Sequence, residues 1–232
     1  MVIMPVFNEA DCVEGVVRAW LDVLTPMGID FTLLLINDGS MDTTAKRVEN
    51  LAGDVRVRVM HKPNEGHGPT ILKGYRLACT DSEWVFQVDS DDEIRATSFP
   101  ALWENRKDHD AVLGVRQGRA STLGRRLLAS GSRWLVRLLC GTGIPDVNVP
   151  FRLMRCACLG PLLDRIPADL FAPNVAISGL MLRRGVRVAT IPVANHRRRT
   201  GRSSLVSWGL LAIAVRSLTE VGLVFLKDRK RV

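Results

Sequence analysis

The sequence predicts an α/β fold built on a mostly parallel central sheet flanked by helices. Three observations carry this reading. Short β-rich runs alternate with helical stretches through the first half of the 232 residues. The runs FTLLLI (31–36) and WVFQV (84–88) are apolar almost throughout, as strands covered on both faces by helices must be. Polar residues gather directly after each predicted strand, which in a parallel sheet sets them along one edge.

Taken in order, strands are expected at Val2–Val6, Phe31–Ile36, Val55–Met60, Trp84–Val88 and Ala111–Val115. Helices are expected near 10–23, 43–52, 69–79 and 98–107, with Asn8 as a cap for the first and Pro69 in the first turn of the third. In the second half, residues 119–140 read as a basic amphipathic helix. Arg119, Arg126, Arg133 and Arg137 fall within about 40° of one another on its wheel, beside an apolar face that includes Leu127, Trp134 and Leu138. A turn-rich stretch, GTGIPDVNVPFRLMR, follows. Then come a helix near 172–184, a strand over Val186–Val193, the charged loop HRRRTGRSS and a mostly apolar helix over 204–227.

The composition is that of a globular protein, 47% hydrophobic and 24% charged. The longest apolar stretch, Trp208–Leu226, is interrupted by Arg216 and Glu220, so no transmembrane helix is expected. The first residues, MVIMPVFNEA, lack a basic n-region and do not read as a signal peptide. Five cysteines without zinc-type spacing read as reduced thiols in a cytosolic protein. The net charge of +8 is unevenly placed: residues 1–110 carry −8 and residues 111–232 carry +16. The acidic half suits a cation, and the basic half suits phosphates or an anionic membrane surface. Nucleic acid is not expected as a partner, because the chain has a single Tyr and no recognised binding motif.

The sharpest local feature is VFQVDSDDE, Val85–Glu93, where Asp89, Asp91, Asp92 and Glu93 crowd the end of an apolar strand. Like charges so close repel, and burial adds a desolvation cost, so a positive partner is implied. Taken alone the cluster reads equally as a solvated turn or an acidic helix start. Its place after a buried strand favours a hard cation, Mg²⁺ or Mn²⁺, on Asp89 and Asp91, shared with diphosphate oxygens. NDGSMDTT (37–44) reads as a turn and helix cap. NEGHGPTILKG (64–74) is a glycine-rich turn entering a helix, which suits a phosphate but matches neither GxGxxG nor a P-loop. The four histidines have no ligand-like spacing.

The ordered set VIMPVFNE, INDGSMDTT, NEGHGPTILKGYRLA and VFQVDSDDE resembles glycosyltransferase family 2, with its GT-A fold and DxD motif. GVRQGR, DVNVPFRLMR and HRRRTGRSS resemble its dolichol-phosphate mannose synthase branch and the polyprenyl-phosphate relatives of that branch. The resemblance spans residues 2–205. It implies a glycosyltransferase domain over 1–203, split into a donor and metal half (1–115) and an acceptor half (116–203), with a membrane-surface helix at 204–232. Pro5, Phe7, Glu9, Ile36, Asp38, Asp89 and Ser90 would bind the nucleotide sugar, with Asp38 accepting from a base N–H. Asp89, Asp91 and Glu93 would hold the metal, and Asp91, Arg116 and Arg198 would carry catalysis. Arg116, Arg119, Arg152, Arg198 and Ser203 would hold the acceptor or its phosphate. Phe7 stands where many relatives have Tyr, Glu93 where many have Gln, Asn37 in place of a common Asp, and Ser204 in place of a common Lys.

The activity so implied is inverting transfer of a sugar, mannose from GDP-mannose being favoured, to a polyprenyl or dolichyl phosphate. The protein would sit peripherally on the cytoplasmic face of a membrane. A lipid monophosphate is already a nucleophile at neutral pH, so positioning and stabilisation of the leaving diphosphate are what the enzyme must supply. The alternatives are another donor such as UDP-glucose, a non-lipid acceptor, or a nucleotide-sugar-binding module without turnover.

Overall fold

Among the described residues seven strands form one sheet in the order β3-β2-β1-β4-β6-β5-β7. The computed structural model describes residues 1–117, 134, 136–138, 141, 143–196 and 209–229. The strands are β1 (Val2–Val6), β2 (Leu33–Asp38), β3 (Val57–Lys62), β4 (Trp84–Val88), β5 (Ala111–Gln117), β6 (Phe151–Arg155) and β7 (Val188–Ala194). All run parallel except β6, which is antiparallel to both its neighbours, β4 and β5. The expected mostly parallel α/β architecture is therefore present.

The helices are α1 (Val13–Leu24), α2 (Thr44–Leu51), α3 (His67–Asp81), α4 (Phe99–Asn105), α5 (Cys156–Leu163), α6 (Pro173–Arg183) and α7 (Gly209–Arg229). β1, β2 and β4 are buried at every position, because helices cover both their faces. Trp20 of α1 joins Phe86, Phe99 and Phe151 in an aromatic cluster with ring centroids 4.8–6.2 Å apart. Each such contact contributes about 0.5–1.5 kcal/mol beyond the area it buries.

Several boundaries differ from the sequence expectation, each for a physical reason. The first helix starts at Val13 and not at residue 10, and Asn8 does not cap it. Asn8 adopts a left-handed φ of 53°, and its Oδ1 accepts from the Met41 N–H at 2.8 Å, so it ties the β1 loop to the β2 loop. β6 lies within the stretch that reads as turns. Its five residues pair along β4 from Val88↔Phe151 to Trp84↔Arg155, and only that non-local ladder makes them a strand. α5 was not expected either; it contains Pro161. The basic helix expected over 119–140 lies outside the described residues except for 134 and 136–138. Those four are helical, with Val136 buried and Trp134, Arg137 and Leu138 exposed.

Residues 215–229 of α7 are anchored to the body of the protein. Val221, Val224 and Phe225 are buried, and α7 packs on α6. The Asp228 side chain, 2% exposed, receives Arg165 at 2.6 Å and Arg184 at 2.9 Å, with Arg183 at 3.6 Å. Val215, Leu223 and Leu226 remain exposed on the same helix. Among the described residues no helix is long and apolar enough to cross a membrane.

Candidate active site

Because β1, β2, β3, β4, β5 and β7 are parallel, their carboxyl ends share one edge, and the antiparallel β6 begins there. Val88 pairs with Phe151, so the end of β4 sits beside the start of β6 and the segment that leads into it. β5 runs on past its last pairing with β6, Leu113↔Arg152, and carries Arg116 to the same place. One cavity there is lined by Val88, Asp89, Asp91, Glu93, Ile94, Arg116 and Pro150. The carboxylates of the β4 loop and the guanidinium of β5 thus meet across the edge of the sheet.

The carboxylate loop is tightly turned. Asp92 adopts φ 56°, a left-handed conformation that Asp tolerates, and Asp91 Oδ1 accepts from the Glu93 N–H at 3.1 Å. Asp89 Oδ1 is buried and receives no hydrogen bond; His67 Nε2 stands 3.6 Å away. Burial pushes the Asp89 pKa up to about 6, against the pull of His67 and Arg116, while Asp91 and Glu93 add to the rise. A buried carboxylate oxygen without a donor is expensive, and a bound cation would satisfy it. The donor set, hard carboxylate oxygens, fits Mg²⁺ or Mn²⁺. Among the described residues no three His, Cys, Asp or Glu side chains converge to hold a metal unaided. An ion on the expected Asp89, Asp91 and Glu93 would take further ligand oxygens from elsewhere, as a diphosphate provides.

Arg116 is not free. Its Nε and Nη2 donate to Asp146 Oδ2 and Oδ1 at 2.8 and 3.0 Å, and its side chain is 10% exposed. Arg152, expected to hold the acceptor, is fully buried and does not reach the crevice in this structure. Its guanidinium donates to the carbonyls of Val149, Val147 and Asn174 and to Ser178 Oγ at 3.0–3.3 Å. Burial lowers its pKa, and the bonds show its role: it ties the segment after Asp146 to α6.

The donor-side residues divide. Phe7 directly follows β1 at its carboxyl end and is exposed. Pro5 and Ile36 are register partners inside the doubly covered sheet, with buried side chains, so the structure does not bring those side chains to the crevice. Ser90 and Glu9 are buried too. The Glu9 N–H donates to Thr44 Oγ1 at 2.9 Å, and Cys12 Sγ contacts Glu9 Oε2 at 3.0 Å. Asp38, expected to read a base N–H, is 4% exposed and already engaged. It pairs with Lys62 Nζ and accepts from the N–H groups of Glu65 and Gly66, each at 3.0 Å. Burial opposes its ionisation, but Lys62 and the Glu65 N–H hold its pKa below the usual carboxylate range. Its observed work is to shape the loop that opens α3. Gly39 serves the same packing: at φ 67°, a Cβ would stand 2.7 Å from the Asn64 nitrogen.

Arg119, Arg198 and Ser203 lie outside the described residues. Two residues that the sequence reading did not single out as site residues stand here, His67 and Asp146. Each is revealed only by its partner across the fold.

This fold and edge define a GT-A class protein, a mostly parallel sheet with a carboxylate loop at its carboxyl edge. The chain belongs to glycosyl transferase family 2, whose model matches residues 1–159. Similar proteins include the undecaprenyl-phosphate 4-deoxy-4-formamido-L-arabinose transferase of Klebsiella pneumoniae (strain 342). It is 27% identical over 206 residues, 87% of this chain and 61% of that protein. The transferase of the same name from Edwardsiella ictaluri is 26% identical over 216 residues, 91% of this chain and 63% of that one. The chain thus spans somewhat over three-fifths of these relatives. Among solved structures, glucosyl-3-phosphoglycerate synthase from Mycobacterium tuberculosis with Mn²⁺, uridine diphosphate and phosphoglyceric acid superposes with a TM-score of 0.70 at 18% identity. That match covers 97% of this chain and 77% of the other. This second likeness speaks for the fold.

Proposed function

We propose that the protein transfers a sugar from a nucleoside diphosphate sugar to a polyprenyl phosphate, with inversion at the anomeric carbon. The observation that carries this is the cavity at the carboxyl edge, where the unsatisfied Asp89 oxygen faces a guanidinium that Asp146 holds in place. The undecaprenyl-phosphate acceptor in the names of the relatives supports a lipid phosphate. For the donor, the motifs favour GDP-mannose. The relatives name a formamido-arabinose and the solved neighbour holds uridine diphosphate, so a UDP-sugar is an equal candidate in the test.

Asp89 and Asp91 would hold the divalent ion, which neutralises charge on the departing diphosphate. Phe7 offers an exposed ring against the base. Arg116, fixed by Asp146, presents positive charge to phosphate from the β5 side, where charge develops as the glycosidic bond breaks. The acceptor phosphate attacks C1 of the sugar directly; its own charge removes the need for a general base. The exposed Val215, Leu223 and Leu226 of α7 would rest at the membrane interface.

The test is a panel of radiolabelled GDP- and UDP-sugars given to the protein with undecaprenyl or dolichyl phosphate in detergent and Mn²⁺ or Mg²⁺. Label in the organic phase is expected with one donor and not with EDTA present. No transfer from any donor to either lipid, with nucleotide still bound, overturns the lipid acceptor.

A further inference from the structure

We infer that Glu220 of α7 is a positioning residue for the donor site, acting through the 170–171 loop on the first turn of α3. The inference deepens the reading above and rests on it. A series of contacts carries it. The Phe171 N–H donates to Glu220 Oε2 at 2.9 Å. Arg216, one turn earlier on α7, donates to Glu220 Oε1 at 2.6 Å, and its guanidinium lies 5.5 Å from the Phe171 ring centroid. Both ends of the Glu220 carboxylate are thereby fixed, and the loop is held from its exposed side.

The same loop presses on α3 from its other side. A Cβ on Gly68 would stand 2.3 Å from the Leu170 carbonyl oxygen and 2.6 Å from that of Phe171. Those atoms are backbone, so nothing short of moving the loop or the helix would relieve the contact. Gly68 is the second residue of α3, and the first is His67, whose Nε2 stands 3.6 Å from Asp89 Oδ1. The position of the loop therefore sets where the first turn of α3 meets the carboxylate loop. Glu220 sets the loop from a helix whose neighbouring residues Val215, Leu223 and Leu226 are exposed. The helix proposed to touch the membrane is joined to the donor site by one hydrogen bond and one close backbone contact.

The experiment is calorimetric binding of UDP and of GDP, each with Mn²⁺, to the full chain and to Glu220→Ala and Glu220→Gln, with thermal melts of all three. Glu220→Ala is expected to weaken nucleotide binding about fivefold, the scale of one net hydrogen bond. Glu220→Gln keeps an oxygen that accepts from the Phe171 N–H, and it should bind as the wild type does. A melt lowered in Glu220→Ala with unchanged nucleotide affinity makes Glu220 a packing residue and overturns the inference. So does a Glu220→Gln as weak as the alanine variant. A wild type that binds neither nucleotide overturns the donor-site reading, and this inference with it. A wild type that binds, alongside an alanine variant that binds equally, overturns this inference alone.

Discussion

Arg116 and Asp146 meet in a two-pronged ion pair, Nε to Oδ2 at 2.8 Å and Nη2 to Oδ1 at 3.0 Å, across 30 residues of chain. The fork fixes the guanidinium plane next to the carboxylate loop before any ligand arrives. A lysine cannot reproduce that geometry. Arg116→Lys is expected to lower kcat on the order of 10²-fold, the cost of one misplaced charge-stabilising donor. Steady-state kinetics on the donor that passes the panel measure this, and a kcat within twofold of wild type would remove Arg116 from the proposed machinery.

Asp89 and Asp91 are proposed as the metal carboxylates. Asp91→Asn is expected to reduce turnover by about 10²-fold or more, since it weakens stabilisation of the departing diphosphate. Mn²⁺ binding followed by electron paramagnetic resonance should weaken in parallel. Unaltered Mn²⁺ affinity and turnover would exclude a ligand role.

The raised pKa of Asp89 is also a statement about stability. With its folded value about 6 and its ordinary value 3.8, the folded state holds this proton more tightly than the unfolded one. Its contribution to stability therefore falls as pH rises from about 4 to about 6 and stays low above that. Asp89→Asn is expected to stabilise the protein in chelator by about 2 kcal/mol at pH 7, a figure reduced for partial solvent exposure. The gain should vanish near pH 4. Denaturant melts at the two pH values check the sign, and a variant less stable than wild type at pH 7 would contradict it.

Asp38 has the opposite sign. Its lowered pKa contributes stability above the ordinary carboxylate pKa, and that stability is lost as pH falls through the folded value. Lys62→Met leaves the Asp38 charge buried without its ammonium partner, and the expected cost is about 3 kcal/mol at pH 7. The cost should shrink in acid, where Asp38 takes up a proton. Equal penalties at pH 7 and pH 3 would show that packing of the lysine stem is responsible.

Membrane contact is expected to follow the exposed apolar residues of α7. Wild type should co-sediment with vesicles containing anionic lipid and be partly released by high salt, because surface charge is screened beyond about 10 Å at 0.1 M. Leu223→Asn combined with Leu226→Asn, both exposed and outside the core, should reduce sedimentation while leaving nucleotide affinity near normal. Sedimentation equal to wild type would move the contact to the basic 119–140 segment.

The sheet was legible because its signals are local. Runs such as WVFQV are too apolar for a solvated face, and polar residues directly after them must lie at carboxyl ends whichever strands pair. The carboxylate loop could be assigned to that edge for the same reason, whereas Arg116 was singled out only by the family resemblance. β6 could not be read, since FRLMR is a strand only through its ladders with β4 and β5.

What the sequence by itself determined, then, is the α/β class, the family resemblance and the edge that holds the site, all properties of residue type and order along the chain. The tertiary structure alone decided which polar side chains are free to act. Arg152 and Asp38 look like ligand-binding groups in sequence, yet folding buries them and turns their charges on the backbone and Lys62. Asp146 looks like a turn residue and becomes the partner that aims Arg116. A buried charge must be matched within a few ångströms, and which residue provides the match depends on how distant segments pack.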